Sequence, residues 1–239
     1  DHVIVITEGP EGVLWVGTDK GGVNEFNIQT QSFTAYKLTS PGDSPGNADR
    51  DTVTSLLGVT AGPPGPGKNS SFILWVGTRG GIYTFHRKTG EFKRWNLDPG
   101  NNTPLCSNHV VSIYEDHSHT LWIGTKDGRL MQFNHKKQGF ILHPFDPDFP
   151  PCGADIGVRS IFEEENTKDL WIGTTGAGLY VRESRSGIWY NYRKQRGIAT
   201  SLSSNDIYSI YRDRGGITWI GTEDGLNKID TIKNEFVHW

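Results

Sequence analysis

The sequence has very little of what marks the specialised classes of protein. Two of its 239 residues are cysteine and one is methionine, which excludes a disulfide-dense scaffold and a cysteine-rich metal cluster. No run of about 18 apolar residues occurs, so no segment is expected to insert into a membrane. The formal net charge of −3 gives no general attraction to nucleic acid or anionic lipid. P-loop, G-x-S-x-G and C-x-x-C motifs are also absent, and no cofactor is expected.

What the sequence does have is a repeat. Tryptophan recurs within nearly identical pentapeptides, such as LWIGT, at intervals of 60, 47, 49 and 48 residues, as Trp15, Trp75, Trp122, Trp171 and Trp219. An apolar stretch precedes each pentapeptide, and a glycine turn, a second apolar stretch and a pair of aromatic residues follow it. Each unit therefore offers four short segments rich in β-branched and aromatic residues.

Four strands in a repeat of this length are typical of one blade of a β-propeller. The sequence thus predicts an all-β fold, a β-propeller of five four-stranded antiparallel blades forming a single domain over residues 1–239. The predicted blades span residues 1–38, 51–97, 108–145, 156–193 and 205–239. A part of a larger ring is the alternative. The tryptophans are expected to pack between blades, and the glycine after each is expected to allow a close backbone approach or a bulge.

The repeat resembles the two-component regulator propeller repeat. The similarity is clearest in SNHVVSIYEDHSHTLWIGTKDGRLMQFN from Ser107 and SSNDIYSIYRDRGGITWIGTEDGLNKID from Ser203. The resemblance implies an extracytoplasmic sensor region of a hybrid histidine kinase, in the periplasm or outside the cell, with a glycan as ligand. It also implies a non-catalytic role in signal transduction. A scaffold for protein interactions in the cell envelope is the alternative function.

Long loops lead into the innermost strands and indicate a binding face at that end of the blades. When the five innermost strands are aligned with one another, two positions differ in residue type between repeats, whereas the positions beside them keep the same residue type. Positions that read an asymmetric ligand need not repeat, so we predict that these residues face a ligand: His109, Arg159, Asp206 and Tyr208, with Arg50 and Asp51 beside them. The alternative is that they only fill and hydrate the channel mouth.

Catalysis and metal binding are weaker alternatives. Five-bladed glycoside hydrolases place a general acid and a base around the channel, and Asp51, Asp155 and Asp206 could converge there. No carboxylate recurs with a matched partner, however, and aspartate is an ordinary turn residue before a strand. His117 and His119 could form a metal-binding pair, but two exposed histidines in a turn are the expected arrangement.

Two further features concern loops. The segment Gly58–Ser71 is about ten residues longer than its equivalents and rich in proline and glycine, which predicts an extended loop without a core. It could serve as a contact arm for a partner protein. Cys106 and Cys152 lie in consecutive inter-blade loops, where a disulfide is attainable. Such a bond would indicate an oxidising compartment.

Overall fold

The structure, a computed structural model, describes residues 2–38, 51–61, 71–97, 107–145, 156–230 and 235–238. These residues form five four-stranded antiparallel sheets, one for each repeat, and are the five blades of the predicted β-propeller. Blades 1 and 2 contain β1 (Val3–Glu8), β2 (Val13–Thr18), β3 (Val23–Asn27), β4 (Ser32–Tyr36), β5 (Val53–Ala61), β6 (Ser71–Thr78), β7 (Gly81–His86) and β8 (Glu91–Trp95). Blade 3 contains β9 (Val110–Glu115), β10 (Leu121–Thr125), β11 (Leu130–Asn134) and β12 (Gly139–Leu142). Blades 4 and 5 contain β13 (Val158–Glu163), β14 (Leu170–Thr174), β15 (Leu179–Arg182), β16 (Trp189–Tyr192), β17 (Ile207–Arg212), β18 (Thr218–Thr222), β19 (Gly225–Asp230) and β20 (Glu235–His238).

The chain divides into two compact units. The first consists of residues 1–113 and 135–140, and the second of residues 114–134 and 141–239. Blades 1 and 2 lie in the first unit, and blades 4 and 5 lie in the second. Within every blade the strands follow one another in chain order, from the strand that opens the repeat to the strand that closes it.

The repeated tryptophans fill the space between blades, as predicted. Trp15 shares a core with Val53 and Phe85 of blade 2. In the second unit, Trp122 packs against blade 4 and Trp171 packs against blade 5. Four of the five rings are at most 7% exposed, whereas Trp219 of blade 5 is half-buried. Each buried ring therefore stabilises the contact with the blade that follows its own.

The glycine after each tryptophan permits this packing. A Cβ atom added at Gly17 or at Gly173 would lie 2.5 Å from a methyl carbon of Val53 or of Ile207, respectively. Both neighbours belong to the first strand of the following blade. No side chain fits such a distance, so the repeated glycine lets the next blade approach the backbone. The expectation of a close backbone approach is confirmed.

The first strand of each blade is the innermost strand of a propeller, and the burial of its first residue shows one exception to the repeat. Val53, Val110, Val158 and Ile207 are fully buried, but the equivalent Val3 is 57% exposed. Val53 and Ile207 lie against the glycine of the blade before them. Among the described residues of its own compact unit, Val3 has no such neighbour.

Blade 2 corrects the prediction for its long loop. Gly58–Ala61 and Ser71 were expected in a loop, but β5 and β6 continue through them, and the pairs include Gly58 with Leu74 and Thr60 with Phe72. The extra pairs form because the segments flanking the loop are rich in strand-forming residues, and because Phe72 stacks on Trp15 at 6.1 Å between ring centroids. Residues 62–70 lie outside the described part of the chain.

Candidate functional site

A β-bulge opens the innermost strand of blades 1, 2, 4 and 5. In blade 4 the pairing between β13 and β14 slips between Val158 and Ser160, and in blade 5 the pairing between β17 and β18 slips between Ile207 and Ser209. The residues at the bulge are therefore Arg159 and Tyr208. Bulges turn a side chain away from the regular alternation of a strand and are common beside functional sites.

The two bulge residues of blades 4 and 5 form a contact pair. The guanidinium carbon of Arg159 lies 4.9 Å from the ring centroid of Tyr208, a cation–π arrangement. Arg159 is held from the other side by a hydrogen bond from Nε to Oγ1 of Thr175, at 3.2 Å. Both side chains are exposed, Tyr208 to 46%. The pair presents an aromatic ring and free guanidinium donors to solvent at one surface.

The strands beneath this pair are tied together directly. The backbone N–H of Ile210 in β17 donates to Oγ of Ser160 in β13, at 3.1 Å. This bond fixes the spacing of the two innermost strands directly beside the bulge, because Ser160 follows Arg159 in the chain. The strands that carry Arg159 and Tyr208 are therefore joined by a direct hydrogen bond beside the pair.

The other predicted ligand residues are not shown to join this pair. Asp206 is half-buried, and its backbone N–H donates to Oγ of Ser204 at 3.2 Å. His109 and Asp51 are half-buried and belong to the first compact unit. Ligand binding by any of them stays a prediction. The remaining residues of the predicted sites lie outside the described part of the chain: Arg50, Cys106, Cys152 and Asp155.

A cleft of about 860 Å³ lies beside the inter-blade loop that precedes β17. Residues 201–204 of this loop, which spans residues 193–206, are buried, whereas residues 193–200 are exposed. Leu202 is 1% exposed in the core of blade 5, and the backbone N–H of Ser203 donates to Oδ1 of the fully buried Asn227 at 2.9 Å. Sequence reasoning missed this anchor, although an apolar leucine within a polar loop was a visible signal.

The charged side chains that line this cleft carry a net positive charge. Lys194 pairs with Asp224 at 2.9 Å, which leaves the exposed Arg196 as an uncompensated positive charge. The carbonyl of Ser201 lies 2.6 Å from Nε2 of His238, which fixes the floor of the cleft. We name the loop, this cleft and the Arg159–Tyr208 pair the inter-blade face, because all of them lie at the same ends of the strands.

The two histidines of the turn before β10 do not face a common ion. Nδ1 of His117 lies 2.8 Å from both carboxylate oxygens of Glu163, whereas His119 contacts Glu115 at 3.0 Å. Asp116, His117 and Glu163 place ligand atoms within 4.8 Å of one another. The carboxylate of Asp116 already accepts hydrogen bonds from two backbone N–H groups and from the indole of Trp122. This cluster therefore connects blades 3 and 4 through the contact between His117 and Glu163.

Comparisons with known proteins agree with the repeat and with the fold. The family described as the two component regulator propeller matches residues 104–127 and 201–224. Histidine kinase P4 of Formosa agariphila is 28% identical over 158 residues, which are 65% of this chain and 11% of the kinase. The extracellular domain of a hybrid two-component system from B. thetaiotaomicron superposes with a TM-score of 0.73 at 21% identity, over 99% of this chain and 29% of that chain.

A second extracellular domain from B. thetaiotaomicron, of a one-component system, gives a TM-score of 0.68 at 21% identity, over 96% of this chain and 26% of that chain. The chain thus spans a small part of each of these proteins. None of its described residues builds a helix of the length and hydropathy that a membrane crossing needs. Two segments of the chain thus match the two-component regulator propeller repeat, and the described residues form five four-stranded blades of a β-propeller.

Proposed function

We propose that the chain is a ligand-sensing region of a two-component regulator, located in the periplasm or outside the cell, and that it binds a glycan without chemical conversion. The family of its repeats and its similarity to a histidine kinase support the signalling role. The extracellular location of the similar domains supports the compartment.

The exposed Arg159–Tyr208 pair is the observation that carries the proposal of a glycan ligand. A sugar ring offers apolar C–H faces that pack on an aromatic ring such as Tyr208, and hydroxyl oxygens that accept hydrogen bonds from a guanidinium such as Arg159. The buried end of the loop, residues 201–204, supplies a preformed wall, since an anchored segment loses little conformational entropy when a ligand binds.

The test is titration of the chain with a panel of oligosaccharides, followed by calorimetry with any glycan that binds. Arg159→Ala and Tyr208→Ala are expected to weaken binding by about tenfold or more, because each removes a direct contact. Their stability should change by less than about 0.5 kcal/mol, as for other exposed positions.

Two matched controls lie away from the pair. Tyr211 is an exposed tyrosine of the same strand, and Arg214 is an exposed arginine of the following turn. Tyr211→Ala and Arg214→Ala should leave affinity unchanged. Equal losses in controls and test variants would refute the site, and release of reducing sugar from a bound glycan would refute the non-catalytic role. The signalling role is refuted if the complete reading frame encodes no kinase or other transducing domain.

A scaffold function is favoured by one observation. The ribbon formed by β5 and β6 continues four residue pairs beyond the level at which Leu57 faces Trp75, and such a ribbon could contact a partner protein. Replacing residues 61–71 by a two-residue Asn-Gly turn would remove the last residue pair of the ribbon and the segment beyond it, and would keep Phe72 against Trp15. Loss of a co-purifying envelope protein with unchanged glycan binding would support the scaffold function instead.

A further inference from the structure

A second cleft lies between blades 4 and 5 at the strand ends opposite Arg159 and Tyr208. Its volume is about 500 Å³, within the range of small-molecule sites. The β13–β14 turn and the β17–β18 turn border it, and all its lining residues belong to the second compact unit. We name it the indole cleft after Trp171, which lines it.

The indole N–H of Trp171 is buried and has no hydrogen-bond partner. In blades 3 and 5 the equivalent indoles each donate to a carboxylate oxygen at 2.8 Å, Trp122 to Asp116 and Trp219 to Asp213. Glu164 stands at this position in blade 4. Leaving such a donor unpaired costs free energy, so an acceptor from a ligand would be stabilising.

Glu164 cannot serve as that acceptor because its oxygens are already used. They accept the backbone N–H groups of Asn166 at 2.8 Å and of Thr167 at 2.6 Å, and they pair with the guanidinium of Arg212 from blade 5. Trp15 of blade 1 also lacks an acceptor, since Gly9 stands at the equivalent position. Its ring, however, is fully buried under Gly9 and Phe72, whereas Trp171 borders an open space.

The remaining lining of the indole cleft is acidic. The described hydrogen bonds of Asp169 and Glu183 each use one carboxylate oxygen, Oδ1 with the N–H of Ser184 and Oε2 with the hydroxyl of Ser186. The other oxygen of each is open to a donor. Because Arg212 is compensated by Glu164, the cleft keeps two uncompensated negative charges, which repel anions and attract cations.

Two tyrosines complete the cleft. Tyr190 is 47% exposed and Tyr192 is half-buried. Aromatic faces beside carboxylates favour organic cations through cation–π contacts. Burial, together with Tyr190 and Asp169, raises the pKa of Tyr192, so its hydroxyl remains protonated and can donate.

We propose that the indole cleft binds a small organic cation that carries a hydroxyl or carbonyl oxygen beside its charge, such as an amino sugar. The ammonium group is held by Asp169 and Glu183, and the neighbouring oxygen accepts the N–H of Trp171. This site is separate from the inter-blade face and does not depend on the function proposed for that face.

The experiment compares three sugars that share one ring and differ in charge. Glucosamine, glucose and glucuronic acid are titrated by calorimetry into the Arg159→Ala/Tyr208→Ala variant, which lacks the proposed sugar contacts of the inter-blade face, at about pH 6, where a sugar amine is protonated. We expect glucosamine to bind, glucose to bind with an affinity lower by about tenfold or more, and glucuronic acid not to bind. The reason is that a charge-assisted hydrogen bond is worth about a factor of ten in affinity.

Isosteric variants locate the site. Asp169→Asn and Glu183→Gln remove one charge each without changing shape, and each is expected to weaken glucosamine binding about tenfold. Trp171→Phe removes the donor but keeps an aromatic ring. Trp122→Phe is its matched control outside the cleft. All of these changes are made in the Arg159→Ala/Tyr208→Ala background, in which Trp122→Phe should leave the affinity for glucosamine unchanged.

Three results would overturn the proposal: no binding of glucosamine, equal binding of glucose or glucuronic acid, or glucosamine binding that survives both carboxylate substitutions. Unfolding midpoints of all variants are measured in parallel, and Asp169→Asn and Glu183→Gln carry the decision if Trp171→Phe does not fold. Failure of these tests leaves glycan binding by Arg159 and Tyr208 unaffected, and the reverse also holds.

Discussion

Blades 3 and 5 hold the indole of their repeated tryptophan in one way, and blade 4 holds it in another. In blades 3 and 5 an aspartate closes its own turn and accepts the indole N–H, at 2.8 Å in both blades. In blade 4 the acidic residue is one methylene longer. Glu164 reaches past the indole of Trp171 and pairs with Arg212 of the next blade.

The difference shows how one repeat can exchange a local bond for a contact between blades. The aspartates stabilise the hairpin that contains them. Glu164 and Arg212, whose side chains are 9% and 18% exposed, form a nearly buried ion pair across two blades. The indole that loses its acceptor is the one that borders a cleft. Trp15 also lacks an acceptor, but its ring is fully buried, so only the indole of Trp171 enters the proposed cation site.

The largest expected effect comes from removing the whole ring. Trp122→Ala and Trp171→Ala should each lower the free energy of unfolding by about 3–5 kcal/mol, because both rings are buried between blades. Trp122→Ala should cost about 1 kcal/mol more, since it also leaves the carboxylate of Asp116 without its indole partner. Denaturation with urea measures both values. An unchanged midpoint for either variant would show that the ring does not belong to the core.

The glycine beside the tryptophan should give the next largest contrast. Gly173→Ala forces a Cβ against Ile207 of the following blade, at 2.5 Å and 3.0 Å from two of its carbons, and should cost about 1–3 kcal/mol. Gly221→Ala of blade 5 meets only the rotatable hydroxyl of Ser209 in its own blade, so it should cost less. Thermal unfolding of the two variants tests this order, and a larger loss for Gly221→Ala would contradict it.

Exchange of tryptophan for phenylalanine isolates the indole N–H. Trp122→Phe removes the hydrogen bond to Asp116 and should cost about 1 kcal/mol beyond the lost packing. Trp171→Phe removes a donor that has no partner, so only the packing loss is expected. The comparison fails if Trp171→Phe destabilises the chain as much as Trp122→Phe does.

The smallest expected effect is a pH dependence in blade 5. The indole of Trp219, followed by the backbone N–H of Ile217, lowers the pKa of Asp213. A lowered pKa in the folded state contributes stability above the ordinary pKa of aspartate, and this stability is lost as the pH falls through the folded value. Asp213→Asn should therefore flatten the loss of stability between about pH 5 and pH 3. Parallel curves for the wild type and the variant would argue against the bond.

The repeating features could be predicted because each of them occurs in several copies within the sequence. Five copies of the same pentapeptide revealed the blades, the burial of Trp122 and the need for glycine at Gly173. These features depend on contacts that every blade makes with its neighbour in the same register. A single sequence therefore carries its own internal comparison for them.

The features that vary between blades could not be predicted in the same way. Arg159 and Tyr208 were selected because they break the repeat, but the bulge that turns them outward has no local sequence signature. Asp116 and Glu164 look equivalent as acidic residues after a strand. Their different roles depend on side-chain length and on Arg212, a residue from another repeat about 48 positions away. Such pairings are set by three-dimensional proximity.

The continued pairing of β5 and β6 has a consequence for protein engineering. Ala61 and Ser71 face each other at the end of that ladder, so the two chain segments are held together by the blade itself. New termini placed between them would start and finish side by side, which is the condition under which circular permutation and domain insertion are tolerated. A reporter domain inserted there would be attached to the blade through two adjacent strands, far from the bulges that carry Arg159 and Tyr208 along the sequence.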